Sequence, residues 1–476
     1  MARTLQKIRA FYAGWVYPTV ILLLVFLGHC FEWELICVGP VAALFILGFC
    51  VCRDMKFALM PAMATFFMIP IGNYSTTSAG YNRYSETPVL IYLILLAASF
   101  AASIVFFVVR NRRLANRIPF KGMLLSLILL CGVSALNGAF TSGYTFRNLI
   151  PVLLLALPTV LVYCLFKAFL YFDRALQDYF VKCLVGVGLL ICAELIFAYF
   201  TTVEIVNGEI VKGSVVLGWG IWTNIGNMLV LLMPACFYFA ASHRFGWIGY
   251  GLGLLHYVCI LLTQSRAALL IGGVTLLFCI GYVCIKGRNR RLNLLITAAV
   301  ILCGVAGGVL IYDKVIALIQ NFLNYGLGDN GRFDLWRSAW DAFLRNPIQG
   351  SGFYDTCSYP GFDMFGMPYF CHNTPLQFLG SCGAIGLLAY LYHRFETVKL
   401  FVRRPNKMKY FMGMCILGYL AFGMLDVVFF TGYPNIFYTL MLVFMEHSES
   451  GGNVPRRNLG GVRRRFQTVT STSDFV

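Results

Sequence analysis

The sequence predicts an all-α polytopic membrane protein: about 12–14 transmembrane helices and one large, partly helical external loop. Three observations carry the prediction. Of 476 residues, 59% are apolar and only 12% charged, where a soluble domain is roughly half apolar and about a quarter charged. The apolar residues fall in runs near the ~20 residues that a hydrocarbon core requires. Between the runs one break is long, residues 313–375, and structureless loops of that length are usually functional. The same figures exclude a disordered chain, a disulfide-stapled miniprotein and a collagen-like fibre.

In chain order the apolar runs are 11–29, 34–52, 57–72, 87–109, 122–140, 148–170, 183–201, 224–242, 246–263, 267–285, 294–312, 376–393, 410–430 and 433–446. The runs 57–72 and 433–446 are the shortest. The run nearest the N-terminus, 11–29, has no small-residue cleavage site and reads as a signal anchor rather than a cleaved leader. Residues 1–448 are expected to form the transmembrane domain, with loop 313–375 as its external catalytic part. Residues 449–476 read as a basic, disordered cytoplasmic tail.

Basic residues orient these spans. With the N-terminus inside, 28 Lys and Arg fall on the inner side, Lys167 lies near an inner helix end, and 8 remain outside. Both termini are then cytoplasmic and loop 313–375 faces outward. The net charge of +17 is therefore mostly a topology signal and an attraction to anionic inner-leaflet lipid, not a nucleic-acid footprint. The 17 Cys lie mostly within apolar runs, as small hydrophobes. On the outer side Cys357 and Cys371 are placed where a disulfide is allowed.

The long loop has its own pattern. Val315, Ile316, Ile319, Phe322 and Leu323 are spaced as on an amphipathic interfacial helix. Asp329-Asn330-Gly331 is a turn able to cap a second helix. That helix places Phe333, Trp336, Trp340, Phe343 and Leu344 on one face and ends at Asn346-Pro347. Thr374 and Pro375 read as the cap and first position of the next span.

Four residues could carry chemistry. Arg266 stands at an outer helix break, in Gln264-Ser265-Arg266, where Ser265 can cap the following helix and the helix start favours anions. Arg332 repeats the arrangement, one helical step from Trp336. Two guanidiniums at two helix starts form a plausible diphosphate cradle, since the planar fork grips phosphate oxygens bidentately. Taken singly, each reads equally well as a snorkelling or solvated arginine. His372, one of six histidines, could accept a proton near neutral pH, although a lone surface histidine is the blander reading. Asp426, near an outer helix end, is the candidate acid, because acids within membrane segments are costly and tend to be functional. Glu194 is a deeper acid that could simply pair with Lys or Ser. No GxxxxGK[ST] loop and no external Asp-x-Asp metal motif occurs, so neither metal nor cofactor is expected.

Together these residues resemble the O-antigen ligase and polymerase superfamily of bacterial membrane glycosyltransferases, whose architecture is GT-C-like. The resemblance rests on Gln264-Ser265-Arg266-Ala267-Ala268, Gly331-Arg332-Phe333-Asp334-Leu335-Trp336, Asn346-Pro347, Gly350-Ser351-Gly352 and His372-Asn373-Thr374-Pro375-Leu376-Gln377 running into Gly383-Ala384-Ile385-Gly386, over roughly residues 220–430. Each motif is weak alone; their order and shared outer loop make the set specific. The resemblance implies a glycan donor on undecaprenyl diphosphate, a glycan or lipid-glycan acceptor, and reaction at the outer face of the cytoplasmic membrane. It implies that Arg266 and Arg332 hold the diphosphate and His372 deprotonates the acceptor, with Asp426, Asn373, Gln264, Ser265 and Trp336 in support. Membrane lipids and other polysaccharide-assembly proteins are the further expected partners. More spans than the dozen or so familiar in the ligase branch favour polymerase. The competing class is a lipid-linked glycan flippase, which predicts charges within several spans and repeat-related halves.

Overall fold

The computed structural model describes residues 2–69, 86–139, 144, 155–206, 209–310, 331–352, 370–429 and 432–449. The expected interfacial helix near 315–323, the Asp329-Asn330 turn, Cys357 and the tail beyond residue 449 lie outside them. The first half contains α1 (Ala2–Ala13), α2 (Val16–Cys30), α3 (Glu34–Val51), α4 (Leu59–Ala64), α5 (Thr87–Asn111), α6 (Met123–Ala135), α7 (Val162–Phe169) and α8 (Arg174–Thr201). Two small hairpins follow, β1 (Ile205–Val206) with β2 (Glu209–Ile210) and β3 (Val216–Leu217) with β4 (Gly220–Ile221), both antiparallel. The second half contains α9 (Trp222–Ser242), α10 (Gly246–Leu262), α11 (Arg266–Lys286), α12 (Arg290–Leu310), α13 (Arg332–Arg345), α14 (Thr374–Val402), α15 (Lys407–Phe422) and α16 (Gly432–Glu449).

The protein is an all-α polytopic membrane protein. Among the described residues, six helices are long and apolar enough to cross a membrane, or seven with the bent pair α1–α2, whose axes meet at 62°. Each expected apolar run falls mainly on helix where it is described, and the shorter helices are α6, α7, α10 and the segment Met55–Met68, while run 410–430 leaves the helix at Phe422 and continues as turn and extended chain through Asp426. That segment reaches further than its length suggests. Two 3-10 turns, Met55–Ala58 and Thr65–Met68, flank α4, and their rise of ~2.0 Å per residue stretches the whole to about 25 Å. It starts where Lys56 donates to the Ala13 carbonyl and ends with Met68 against Gly28.

Burial separates centre from rim. The apolar window of α9 is 89% buried, whereas that of α5 is 6% buried, so α9 is the axis of the bundle and α5 a lipid-facing stave. Polar side chains fasten the starts of several helices: Asp173 accepts from the Leu176 amide at 2.7 Å, and Asn406 from the Lys409 amide at 2.9 Å. The segments that the charge count groups on the inner side meet at one end. There Arg9 donates to the Val51 carbonyl, Lys407 to the Ala241 carbonyl, and Lys182 lies 5.1 Å from the Trp15 ring.

Among the described residues Glu194 pairs with neither lysine nor serine. It is fully buried on α8 and accepts from Trp219 Nε1 at 2.9 Å. Trp219 in turn packs edge-on against Phe67 and Tyr433. This bond pins the turn between β3 and β4 into the membrane body.

Candidate functional site

The start of α11 is built by a tight turn. Gln264 adopts φ 54°, a region where a side chain crowds its own backbone. The Thr263 hydroxyl donates to the Ile260 carbonyl and accepts from the Ser265 amide, and Ser265 Oγ accepts from the Ala268 amide at 3.4 Å. Ser265 is thus the cap that the sequence suggested, and Arg266 is the first residue of the helix. Gly226 on α9 seats the turn: a Cβ there would lie 2.6 Å from Ala268 Cβ. Only a glycine lets α9 approach so closely.

Arg332 opens α13, but its cap differs from expectation. The cap residue is Gly331 at φ 76°, with no side-chain hydrogen bond to the first turn. The helix ends at Arg345 before Asn346-Pro347, as the sequence indicated. Its buried face is not the aromatic one. Leu335, Ala339 and Ala342 face inward, while Phe333, Trp340 and Leu344 are exposed. Small residues let α13 lie close on α14, and an outward aromatic stripe suits a membrane interface. Trp336 is the exception, packing on a small core of Leu335, Ala339 and Cys371 together with Leu376. Leu335 lies within a turn of Arg332, and Cys371 adjoins His372, so this core fixes one relative to the other.

A knot of four glycines holds α13 to α14. The backbone of α14 breaks at Gly383, φ 67° and ψ −162°, a conformation essentially confined to glycine. The break frees carbonyls that segment 347–352 fills: Ser351 N–H donates to the Gly380 carbonyl and Gly352 N–H to the Ser381 carbonyl, both at 3.0 Å. In return Ala384 N–H donates to the Pro347 carbonyl at 2.8 Å. Gly350 at φ 75°, Gly352 at φ 88° and Gly138 at φ 65° complete the crossing, and a Cβ on Gly138 would lie 2.9 Å from Gly352. The Gly350-Ser351-Gly352 motif is therefore a backbone clasp.

His372 lies just before the start of α14 with φ 49°. Its Nδ1 is 3.0 Å from Asp426 Oδ1, so the structure supplies the carboxylate partner. Asp426 Oδ1 also accepts from the Val427 amide at 2.7 Å. Three further bonds bolt 372–374 to 423–428: Thr374 N–H to the Gly423 carbonyl, Asn373 Nδ2 to the Met424 carbonyl, and Thr374 Oγ1 to the Asp426 carbonyl. The helix cap is Asn373, accepting from the Leu376 amide at 3.0 Å, rather than Thr374. Thr374 is drawn into the bolt instead. Cys371 is buried and its Sγ donates to the Asn373 carbonyl; its expected partner Cys357 lies outside the described residues.

One site residue was not foreseen. Lys212, on a 3-10 turn between the two hairpins, has its pKa lowered, first by burial and then by the charges of Arg266 and Arg332. Its ammonium lies 5.4 Å from the centre of the Trp222 ring at the start of α9, within cation–π range. A single lysine in a loop of unremarkable composition carries no sequence signal. The candidate residues are thus two arginines at two helix starts and an imidazole–carboxylate pair whose members come from the start of α14 and the segment after α15.

Residues 228–391, from early in α9 to the second half of α14, match the family model described as O-antigen ligase. That segment, about a third of the chain, supports the resemblance to the O-antigen ligase and polymerase superfamily that its motifs carry. The match contains Arg266, Arg332, His372 and three glycines of the knot, whereas Lys212 and Asp426 lie outside it. No curated protein matches the chain.

Proposed function

We propose that the protein is a polysaccharide polymerase that transfers a glycan from undecaprenyl diphosphate to a sugar hydroxyl at the outer face of the cytoplasmic membrane. The observation that carries this reading is the 3.0 Å contact of His372 with Asp426, taken with the two arginines that open α11 and α13. One part suits a base and the other a phosphorylated leaving group.

In this scheme His372 Nδ1–H donates to Asp426, which fixes the tautomer and leaves Nε2 as the acceptor for a proton. The acceptor hydroxyl loses its proton to Nε2 as its oxygen forms a bond to the anomeric carbon. The bond from that carbon to the diphosphate oxygen breaks, and the electron pair leaves with the lipid diphosphate. Arg266 and Arg332 hold the departing charge bidentately, and donors already in place there stabilise charge as it develops. The number of apolar runs in the sequence, larger than the dozen or so spans familiar in the ligase branch, is what favours polymerase over ligase in this proposal.

Purified protein in detergent, supplied with lipid-linked oligosaccharide, tests the reading. Lengthened glycan with released lipid diphosphate is the expected product. Transfer only to a lipid-glycan acceptor, without chain growth, would make it a ligase. Movement of intact donor across vesicles with neither product would make it a flippase.

A further inference from the structure

We infer that a cavity between α6, α14 and α16, away from the residues proposed for transfer, binds the headgroup of an anionic phospholipid.

The cavity, about 430 Å³, is lined by Lys121 and Gly122 before α6, by Glu396, Lys399 and Arg403 at the end of α14, and by Glu446 near the end of α16. It lies at the end of the bundle that the charge count groups on the inner side. Both of its carboxylates are already neutralised. Glu446 pairs with Lys167 of α7 and accepts from the Tyr163 hydroxyl at 2.6 Å. Glu396 accepts from Lys399 at 3.0 and 3.3 Å. Lys121 and Arg403 are exposed, and neither has a carboxylate partner among the described residues. The start of α6 has no side-chain cap, since Gly122 stands there at φ 58°. Its first turn therefore keeps amide donors for an anion.

Chemistry then selects among headgroups. A phosphodiester carries one negative charge on two free oxygens, which a guanidinium fork and an ammonium can share. A headgroup that also carries an ammonium needs an acceptor, and both carboxylates are occupied. A glycerol headgroup brings the phosphate charge alone.

The same helix offers a bed for the tails. Leu388, Leu391, Phe395, Val398 and Val402 are exposed and recur every three or four residues along α14. They occupy the face beside the one that bears Glu396, Lys399 and Arg403. The stripe is about 21 Å long, more than the ~15 Å of one leaflet's share of the hydrocarbon core. A free phosphate has no use for such a stripe, so the occupant is a lipid.

Native mass spectrometry of the full-length protein in detergent tests this, with phosphatidylglycerol, phosphatidylethanolamine and inorganic phosphate as probes. Wild type should bind phosphatidylglycerol about tenfold or more over phosphatidylethanolamine, the range for two cations near a bilayer surface. Lys121→Gln combined with Arg403→Gln should reduce that preference below about threefold. Arg290→Gln combined with Arg291→Gln removes two exposed charges from the start of α12 and should leave it in place. Should the first pair fail to fold, Lys121→Gln alone carries the comparison and should lower the preference about threefold or more. Wild type without a preference, or an equal loss in the α12 pair, overturns the inference; the second result means attraction spread over the whole basic rim. Displacement of the lipid by equimolar inorganic phosphate overturns the assignment to lipid. The readout does not involve glycan transfer, so it stands or falls apart from the proposed reaction.

Discussion

His372 Nδ1 and Asp426 Oδ1 lie 3.0 Å apart, although 54 residues separate them in the chain. The contact orients a ring whose own backbone sits at φ 49°, so the strain of that conformation is offset by the bonds that tie 372–374 to 423–428. A carboxylate placed this way sets which ring nitrogen carries the proton. In the proposed mechanism it acts on the acceptor through the imidazole, which makes Asp426 a positioning residue.

Asp426→Asn should therefore lower the rate of transfer by about 10²-fold or more, with His372→Ala in the range of about 10²–10⁴-fold expected for a lost general base. Donor binding, measured by calorimetry, should be nearly unchanged in both. A normal rate at saturating donor in either variant would remove that residue from the chemistry.

Arg266→Lys and Arg332→Lys keep the charge but lose the fork. Each should cost on the order of 3 kcal/mol of transition-state stabilisation, roughly a hundredfold in rate. Steady-state assays at several donor concentrations check this, and near-normal kinetics in either variant would return that arginine to a structural or interfacial role.

The glycine knot predicts a sharp contrast between two alanines. At Gly383 a Cβ would sit 2.4 Å from the Ile348 carbonyl oxygen and force a residue other than glycine to φ 67°. Gly383→Ala should cost about 3 kcal/mol or more from strain and overpacking together. Gly281 on α11 has nothing within 4 Å of such a Cβ, and Gly281→Ala should be neutral or slightly stabilising. Thermal unfolding of both variants in the same detergent decides it.

Lys212 predicts a pH dependence of donor binding. Burial, then Arg266 and Arg332, lower its pKa, so in the free protein its positive charge is lost on alkalinisation sooner than for an ordinary lysine. Affinity for a lipid diphosphate should accordingly fall as pH rises, and Lys212→Arg should flatten the alkaline limb, since guanidinium stays charged. A limb unchanged by Lys212→Arg would assign the dependence to another group.

The sequence makes spans, helix ends and chemical types legible, because hydropathy, caps and prolines act locally. Ser265 as a cap and Asn346-Pro347 as a stop were readable for that reason. The aromatic face of α13 was readable as a stripe but not in direction. Near a membrane the apolar side can face lipid while Leu335, Ala339 and Ala342 face the protein. The pairing of His372 with Asp426 depends on how two helix ends meet, and residue types alone do not encode it. Lys212 and Gly226 gave no signal at all. A lone cation means little until its neighbours are known, and a glycine that permits close approach is recognised only once something approaches.

The clasp between 347–352 and α14 is made almost wholly of main-chain groups, with hydrogen at the four glycine positions where side chains would be. Its dimensions are therefore independent of the side chains that read sugar or lipid. Acceptor-facing residues can be exchanged for others of different size and polarity without altering the span between the helix that carries Arg332 and the one that carries His372. Substrate range and catalytic spacing thus become separate variables, and an engineered change of acceptor should begin outside the clasp.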